Sequence, residues 1–283
     1  MEYKCLICDK DRKNHIAVVT MNRPNSANAF DFVMMEEIDT VFRADLEPDD
    51  DVRAIVLTGA GNQFSAGVDL SMFAEKTGTV EKEVMDKGVA SSRIGKQVEG
   101  TAWGKGNPVG AVLFMQTMRK PIIAAVNGPA VGMGVSLALA CDIRIASDKA
   151  KFAMMFVKRG LAPDTGGSFT LPRIVGFAKA RELLLTGETI DAAEAYRIGM
   201  VSNVVPHDKL MAAARGLASK IGACPPLAVE LNKMLLHKSM SQTDMMEQEK
   251  LEIEYTDKLM ATEDFKEAAT AFMEKRPPVF KGR

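Results

Sequence analysis

Two stretches of this chain impose the same local form and limit what it can fold into. They are "IVLTGAGNQFSAGVDL" (residues 55–70) and "PIIAAVNGPAVGMGVSLALACDIRIAS" (121–147). Each begins as a short β-rich apolar run, breaks at glycines and re-enters helix. In the second, "VSLALACD" is apolar on nearly every face and starts directly after the glycines, which predicts a buried helix, and "IRIAS" predicts the next strand. Strands alternating with crossover-sized spacers argue for an α/β architecture. At such a turn the first backbone N–H groups of the helix have no intrahelical partner, and the helix end adds a partial positive field. Two N–H groups from two converging turns would stabilise an oxyanion, an effect of about 2.7–4 kcal/mol per donor. Taken singly, each turn is only a structural glycine turn.

The rest of the chain extends this pattern. "HIAVVTM" (15–21) reads as a buried strand, "RPNSANAF" (23–30) as a loop, and residues 30–42 as a helix. From about Lys179 the character changes to helix–turn–helix. Residues 208–222 and 226–240 read as amphipathic helices, and 242–275 as long, charged and helical. The expected organisation is a core over 1–205 and a helical region over 206–283. Residues 74–110, polar and glycine-containing with the single tryptophan Trp103, read as a mobile wall or lid.

With 36 basic and 37 acidic residues and a net charge of −1, the chain has no basic excess with which to hold nucleic acid or an anionic membrane. There is no run of about 20 apolar residues and no secretory leader pattern at the N-terminus, so the expectation is a soluble cytoplasmic protein. Cys5 and Cys8 have CxxC spacing, but no second pair follows them; with Cys141 and Cys224 they are expected to be ordinary reduced thiols, and no metal site is expected.

In this order and at this separation, the motifs resemble the crotonase (enoyl-CoA hydratase/isomerase) superfamily. The resemblance continues through "MNRPNSANAF", "GLAPDTGGSFTLPRIVG", "ARELLLTGETIDAAEAYRIGMVSNVV" and the tail "FMEKRPPVFKGR". It implies a core of stacked ββα turns in a spiral, a C-terminal helical trimerisation region and an acyl-CoA thioester substrate, with no separate cofactor. It puts the first oxyanion N–H on Ala66, before Gly67, and the second on Met133, after Gly132. It puts Ala27, Asn28 and neighbouring Asn25, with Asp69 and Leu70, along the CoA nucleotide and pantetheine. Asp69 is equally a candidate helix cap.

Hydrating members of the superfamily hold a water between two glutamates. The matching positions here are Ser136 and Phe156, and neither is a carboxylate. Hydration needs one group to activate water and another to protonate carbon, so that arrangement is missing. Asp164, eight residues after Phe156, resembles the acid of isomerase-like members. Double-bond migration needs one base: a proton leaves C2, charge spreads to the thioester oxygen, and the same carboxyl returns the proton at C4. The competing reading is that Asp164 caps the helix beginning near Thr165.

Three alternatives remain. One is a hydratase using other acids, such as Glu81, Glu83 or Glu99. A second is an aryl-CoA dehalogenase with Asp164 as nucleophile, which needs a histidine where His15, His207 and His237 do not fall. A third is a non-catalytic binding homologue. The resemblance also implies homotrimers or hexamers, with Phe272 and Lys275 reaching a neighbour's CoA. The 19 methionines suit an adaptable acyl pocket, with Met133, Met154 and Met155 as candidates.

Overall fold

The computed structural model describes residues 1–69 and 108–283. Nine strands and ten α-helices occur among them. The main sheet takes β1 (Leu6–Asp11), β2 (Ile16–Met21), β3 (Ala54–Gly59), β4 (Ile122–Val126), β6 (Ile143–Ser147) and β9 (Asn203–Val205) in the order β1-β2-β3-β4-β6-β9. β1 is antiparallel to β2 and every other pair is parallel. β3 and β4 are fully buried along their length. That is why these runs are continuously apolar and do not alternate.

A second, small sheet pairs β5 (Ala130–Val131) with β7 (Lys151–Ala153) and β7 with β8 (Thr189–Asp191). Single parallel bridges, Phe30 to Val68 and Ser65 to Ala130, tie the turns after β2, β3 and β4 side by side. Each strand–turn–helix unit is thereby stacked on the last, which is the expected spiral.

One face of the main sheet packs against α1 (Phe32–Thr40), α2 (Pro108–Thr117) and α3 (Met133–Ala140), with Met34, Met35, Phe42, Met115 and Leu137 in the core. α1 continues as a π-turn over Val41–Leu46. The other face is covered by α7 (Leu210–Gly222), whose Leu210, Ala214 and Ala218 lie on Ile16, Val56, Ile123 and Ile145. α7 follows residue 206, yet it is a layer of the core. α4 (Gly167–Val175), α5 (Phe177–Thr186) and α6 (Ala192–Arg197) lead to β9.

The C-terminal third is mostly helical, as expected; its two strands, β8 and β9, are three residues long and partly polar, too short for a period to show. The helical stretch expected over 242–275 is divided into α9 (Met245–Met260) and α10 (Glu263–Glu274), which follow α8 (Pro226–Ser239). The break falls at Thr262, whose side chain accepts from the Phe265 N–H and starts the second helix.

Candidate active site

The loop from Arg23 to Phe30 is the first wall of the site. Ala27 and Asn28 have left-handed backbones (φ 51° and 53°). Asn28 is fully buried, and its side chain is wholly occupied: Oδ1 accepts from the Arg23 N–H (2.9 Å) and Nδ2 donates to the Ala60 and Gln63 carbonyls (2.9 and 2.8 Å). Asn28 therefore holds the loop to the β3 turn through its side chain. Asn127 does the same from β4, bonding the Gly59 and Gly61 carbonyls at 2.9 and 3.0 Å. Its only signal in the sequence is an asparagine closing a buried strand before Gly-Pro. Arg23 pairs with Asp31 (3.1 Å) and Asp69 (3.4 Å) and donates to the Ala29 carbonyl. Leu70 lies outside the described residues, as do Glu81, Glu83, Glu99 and Trp103.

The segment 65–68 runs between this loop and the β4 turn. The Ala66 N–H, expected to be the first oxyanion donor, donates to the Ala27 carbonyl at 2.9 Å. It is engaged inside the protein, and the expectation is corrected. The next residue explains which amide is exposed instead. Gly67 is left-handed (φ 86°) and its carbonyl accepts from the Phe30 N–H at 2.8 Å. Across a trans peptide the N–H points opposite to the C=O. The Val68 N–H is thus directed away from Phe30, to the side where Ser65 pairs with Ala130. It has no hydrogen-bond partner among the described residues.

On that side lies the second turn. The Gly132 carbonyl accepts from the Ser136 N–H at 3.1 Å, so the Met133 N–H leaves the N-terminal end of α3, also without a partner among the described residues. The two turns are in van der Waals contact. A Cβ on Gly67 would stand 2.6 Å from the Val131 carbonyl oxygen and 3.5 Å from the Met133 nitrogen, and one on Gly134 would stand 2.7 Å from the Ser65 carbonyl oxygen. Only glycine permits this approach. Two amides on adjoining turns are left for a ligand: Val68 and Met133.

Asp164 sits in the turn ahead of α4. Its backbone carbonyl accepts from the Gly167 N–H (3.1 Å), but α4 has no side-chain cap. The capping role is not taken up by the carboxylate, which among the described residues accepts a side-chain hydrogen bond only from the Thr165 hydroxyl, at 3.1 Å. Burial raises the Asp164 pKa above the usual carboxylate range, and the Thr165 hydrogen bond opposes this in part. Asp31 and Asp69, by contrast, are paired with Arg23. Thr165 is buried and lines an apolar cavity together with Met133, so the acid's turn borders the amide turn.

Phe156 is buried, and its ring faces Gly132, where a Cβ would be 3.8 Å away. Ser136 is fully buried against Gly167, and its hydroxyl has no hydrogen-bond partner among the described residues. The three histidines are elsewhere. The Nδ1 of His15 is near the Asp51 carbonyl and that of His207 near the Ser147 hydroxyl, each at 3.1 Å, while His237 is on α8. Phe272 is 85% exposed on α10, and Lys275 ends that helix in a left-handed conformation. All four cysteines are free thiols, with burial raising Cys8 to about 11. Among the described residues no helix is long and apolar enough to cross a membrane.

Comparison with known proteins agrees with this geometry. The family model for enoyl-CoA hydratase/isomerase matches residues 11–92 and 105–283. A short-chain-enoyl-CoA hydratase of Clostridium acetobutylicum is 38% identical, with 98% of this chain and 97% of that protein covered. A crotonyl-CoA hydratase of Syntrophomonas wolfei is 35% identical over 99% of each. The crystal structure of an enoyl-CoA hydratase from Bacillus anthracis superposes with a TM-score of 0.84 at 31% identity, covering 99% of this chain and 100% of that one. The spiral core, the paired amide turns and these matches together place the chain in the enoyl-CoA hydratase/isomerase family, with the crotonase fold.

Proposed function

We propose that the chain moves a carbon–carbon double bond in an enoyl-CoA thioester, from the 3- to the 2-position, with Asp164 as its single acid–base group. The thioester oxygen accepts from the Val68 and Met133 N–H groups. The Asp164 carboxylate removes a proton from C2. The resulting dienolate places its negative charge on the oxygen between the two amides, and Asp164 returns the proton at C4. An acid whose pKa is raised by burial is a stronger base once ionised and a competent donor once protonated, which a two-step shuttle needs.

The observation that carries the reading is the character of the other two candidate positions. An aromatic ring at Phe156 and an unpartnered hydroxyl at Ser136 stand where a water-holding pair of acids would be needed. Ala27 and Gly67 border the thioester by backbone. In an assembly of three or six copies, Phe272 and Lys275 would contact a neighbour's CoA; the exposure of Phe272 supports this.

Hydration is the second reading, favoured by the names of the relatives. Purified protein incubated separately with 3-enoyl-CoA and 2-enoyl-CoA decides between them. Isomerisation of the first, no hydration of the second, and loss of about 10²–10⁴-fold in Asp164→Asn support the proposal. Rapid hydration of crotonyl-CoA by Asp164→Asn contradicts it.

A further inference from the structure

Thr165, next to the proposed acid, has a backbone that its side chain does not favour. Its φ is 46°, in the left-handed region, where a β-branched residue is an outlier. Gly166 follows, also left-handed (φ 76°), but glycine takes that conformation freely. Strain of this kind persists where the surroundings hold it, and it gathers at sites that use it. The partners of the Thr165 side chain show what is held. Thr165 is 2% exposed, the one polar residue in an apolar wall that includes Met35, Val112 and Met133. Among the described residues its hydroxyl donates only to Asp164 Oδ1, at 3.1 Å.

This contact makes the two carboxylate oxygens unequal. Oδ1 is held by a residue whose own χ1 is stiff. Oδ2 accepts from no other side chain among the described residues. Nor does any ion pair among the described residues include Asp164. α2 and α3 contain no titratable residue. From α1, Met35 and Ile38 line the same wall as Thr165, while Glu37 accepts from the Lys4 and Cys5 N–H groups, Asp39 pairs with Arg43, and Glu36 is exposed. Lys158 and Arg159, ahead of the turn, are exposed, and Arg173 of α4 lies over the Phe169 ring. A hydroxyl that donates to a carboxylate favours its ionised form, and here it opposes the effect of burial.

We propose that Thr165 is a positioning residue of the proton shuttle: its hydroxyl pins Asp164 Oδ1, and Oδ2 is the oxygen that takes the proton from C2 and returns it at C4. The inference rests on the isomerase reading. The C2–H bond breaks as Oδ2–H forms, the electron pair passes through the dienolate, and Oδ2–H breaks as C4–H forms. With Oδ1 pinned, one oxygen performs both transfers, and the migration keeps to one face of the acyl chain.

The test combines isomerisation of 3-enoyl-CoA across pH with carbon-13 NMR of the Asp164 carboxyl, its resonance assigned by its absence in Asp164→Asn. Thr165→Val keeps the shape and removes the donor. Its kcat is expected to fall about 10- to 100-fold with KM nearly unchanged, and both the acid limb of kcat/KM and the carboxyl titration are expected to move to higher pH. Thr165→Ser, which keeps the donor, is expected to restore the rate and both titrations. Thr165→Gly relieves the backbone and carries the comparison if Thr165→Val does not fold; it is expected to show the same losses. A carboxyl that titrates at the same pH in wild type and in the hydroxyl-free variants, or Thr165→Ser no more active than they are, overturns the inference and leaves isomerisation by Asp164 standing. Wild-type protein that does not isomerise 3-enoyl-CoA, with the titration shifted as described, removes the isomerase reading and leaves the hold of Thr165 on the carboxylate.

Discussion

Replacing Gly67 with alanine tests the amide geometry, and its cost can be worked from the structure. Gly67 is left-handed (φ 86°), and a Cβ there would stand 2.6 Å from the Val131 carbonyl oxygen. Gly160 is also left-handed (φ 68°), but a Cβ there meets nothing within 4 Å. Gly160→Ala therefore carries only the backbone penalty, about 1–2 kcal/mol. Gly67→Ala carries that penalty plus a contact with main chain, which is relieved only by separating the turn from α3. Separation moves the Val68 N–H off the oxygen it is proposed to grip. The loss of one such donor is about 10²–10³ in kcat, or 2.7–4 kcal/mol. The assay is isomerisation of 3-enoyl-CoA by both variants, with thermal melts to separate folding from activity. Gly160→Ala is expected to melt lower and turn over normally. Gly67→Ala is expected to lose at least about 10²-fold in kcat while still folded. A folded Gly67→Ala with activity within a few-fold of wild type would refute the reasoning.

Two further outcomes follow from buried polar groups. Burial raises the Asp164 pKa, so the folded state holds the proton to higher pH than the unfolded chain. The stabilisation from that proton is complete below the unfolded value of about 3.9 and is lost as pH rises through the folded value. Asp164→Asn is therefore expected to melt above wild type at pH 8, with the difference vanishing in acid. Calorimetry across pH checks this, and a variant less stable at every pH would restore a structural role for the carboxylate. Ser136 has a fully buried hydroxyl without a partner, so Ser136→Ala is expected to gain about 1 kcal/mol and keep its turnover; a large fall in kcat would instead show that the hydroxyl acts in the reaction.

Much of the spiral was legible because β3, β4 and the Gly132 turn are local patterns: apolar runs stopped by glycine and followed by helix. The Met133 N–H could be expected to be unpartnered, since the first residue of a helix has no intrahelical acceptor for it. The Ala66 amide, expected to be free, is engaged, and the unpartnered amide of that turn lies two residues on. No local rule says that the Ala66 amide meets the Ala27 carbonyl 39 positions earlier in the chain, or that the left-handed Gly67 turns the following peptide over. A glycine read for its sign of φ would have pointed to Val68. Asn28 carried the same ambiguity, because a polar residue in a binding loop and a strut that ties two loops together look alike until their partners are seen. Of the methionines proposed for the acyl pocket, Met133 faces the cavity, while Met154 lies against the Gly167 position instead. The break at Thr262 was written in the sequence as a capping threonine before Glu-Asp-Phe, obscured by charge running through both helices.

The most direct measurement is a crystal structure of the protein with a saturated acyl-CoA. The thioester oxygen should lie about 2.7–3.1 Å from both the Val68 and the Met133 nitrogens, with the Asp164 carboxylate facing C2 and C4 from one side of the chain. An oxygen held by other groups, or an Asp164 carboxylate turned from the acyl carbons, contradicts the account and leaves the fold without this chemistry.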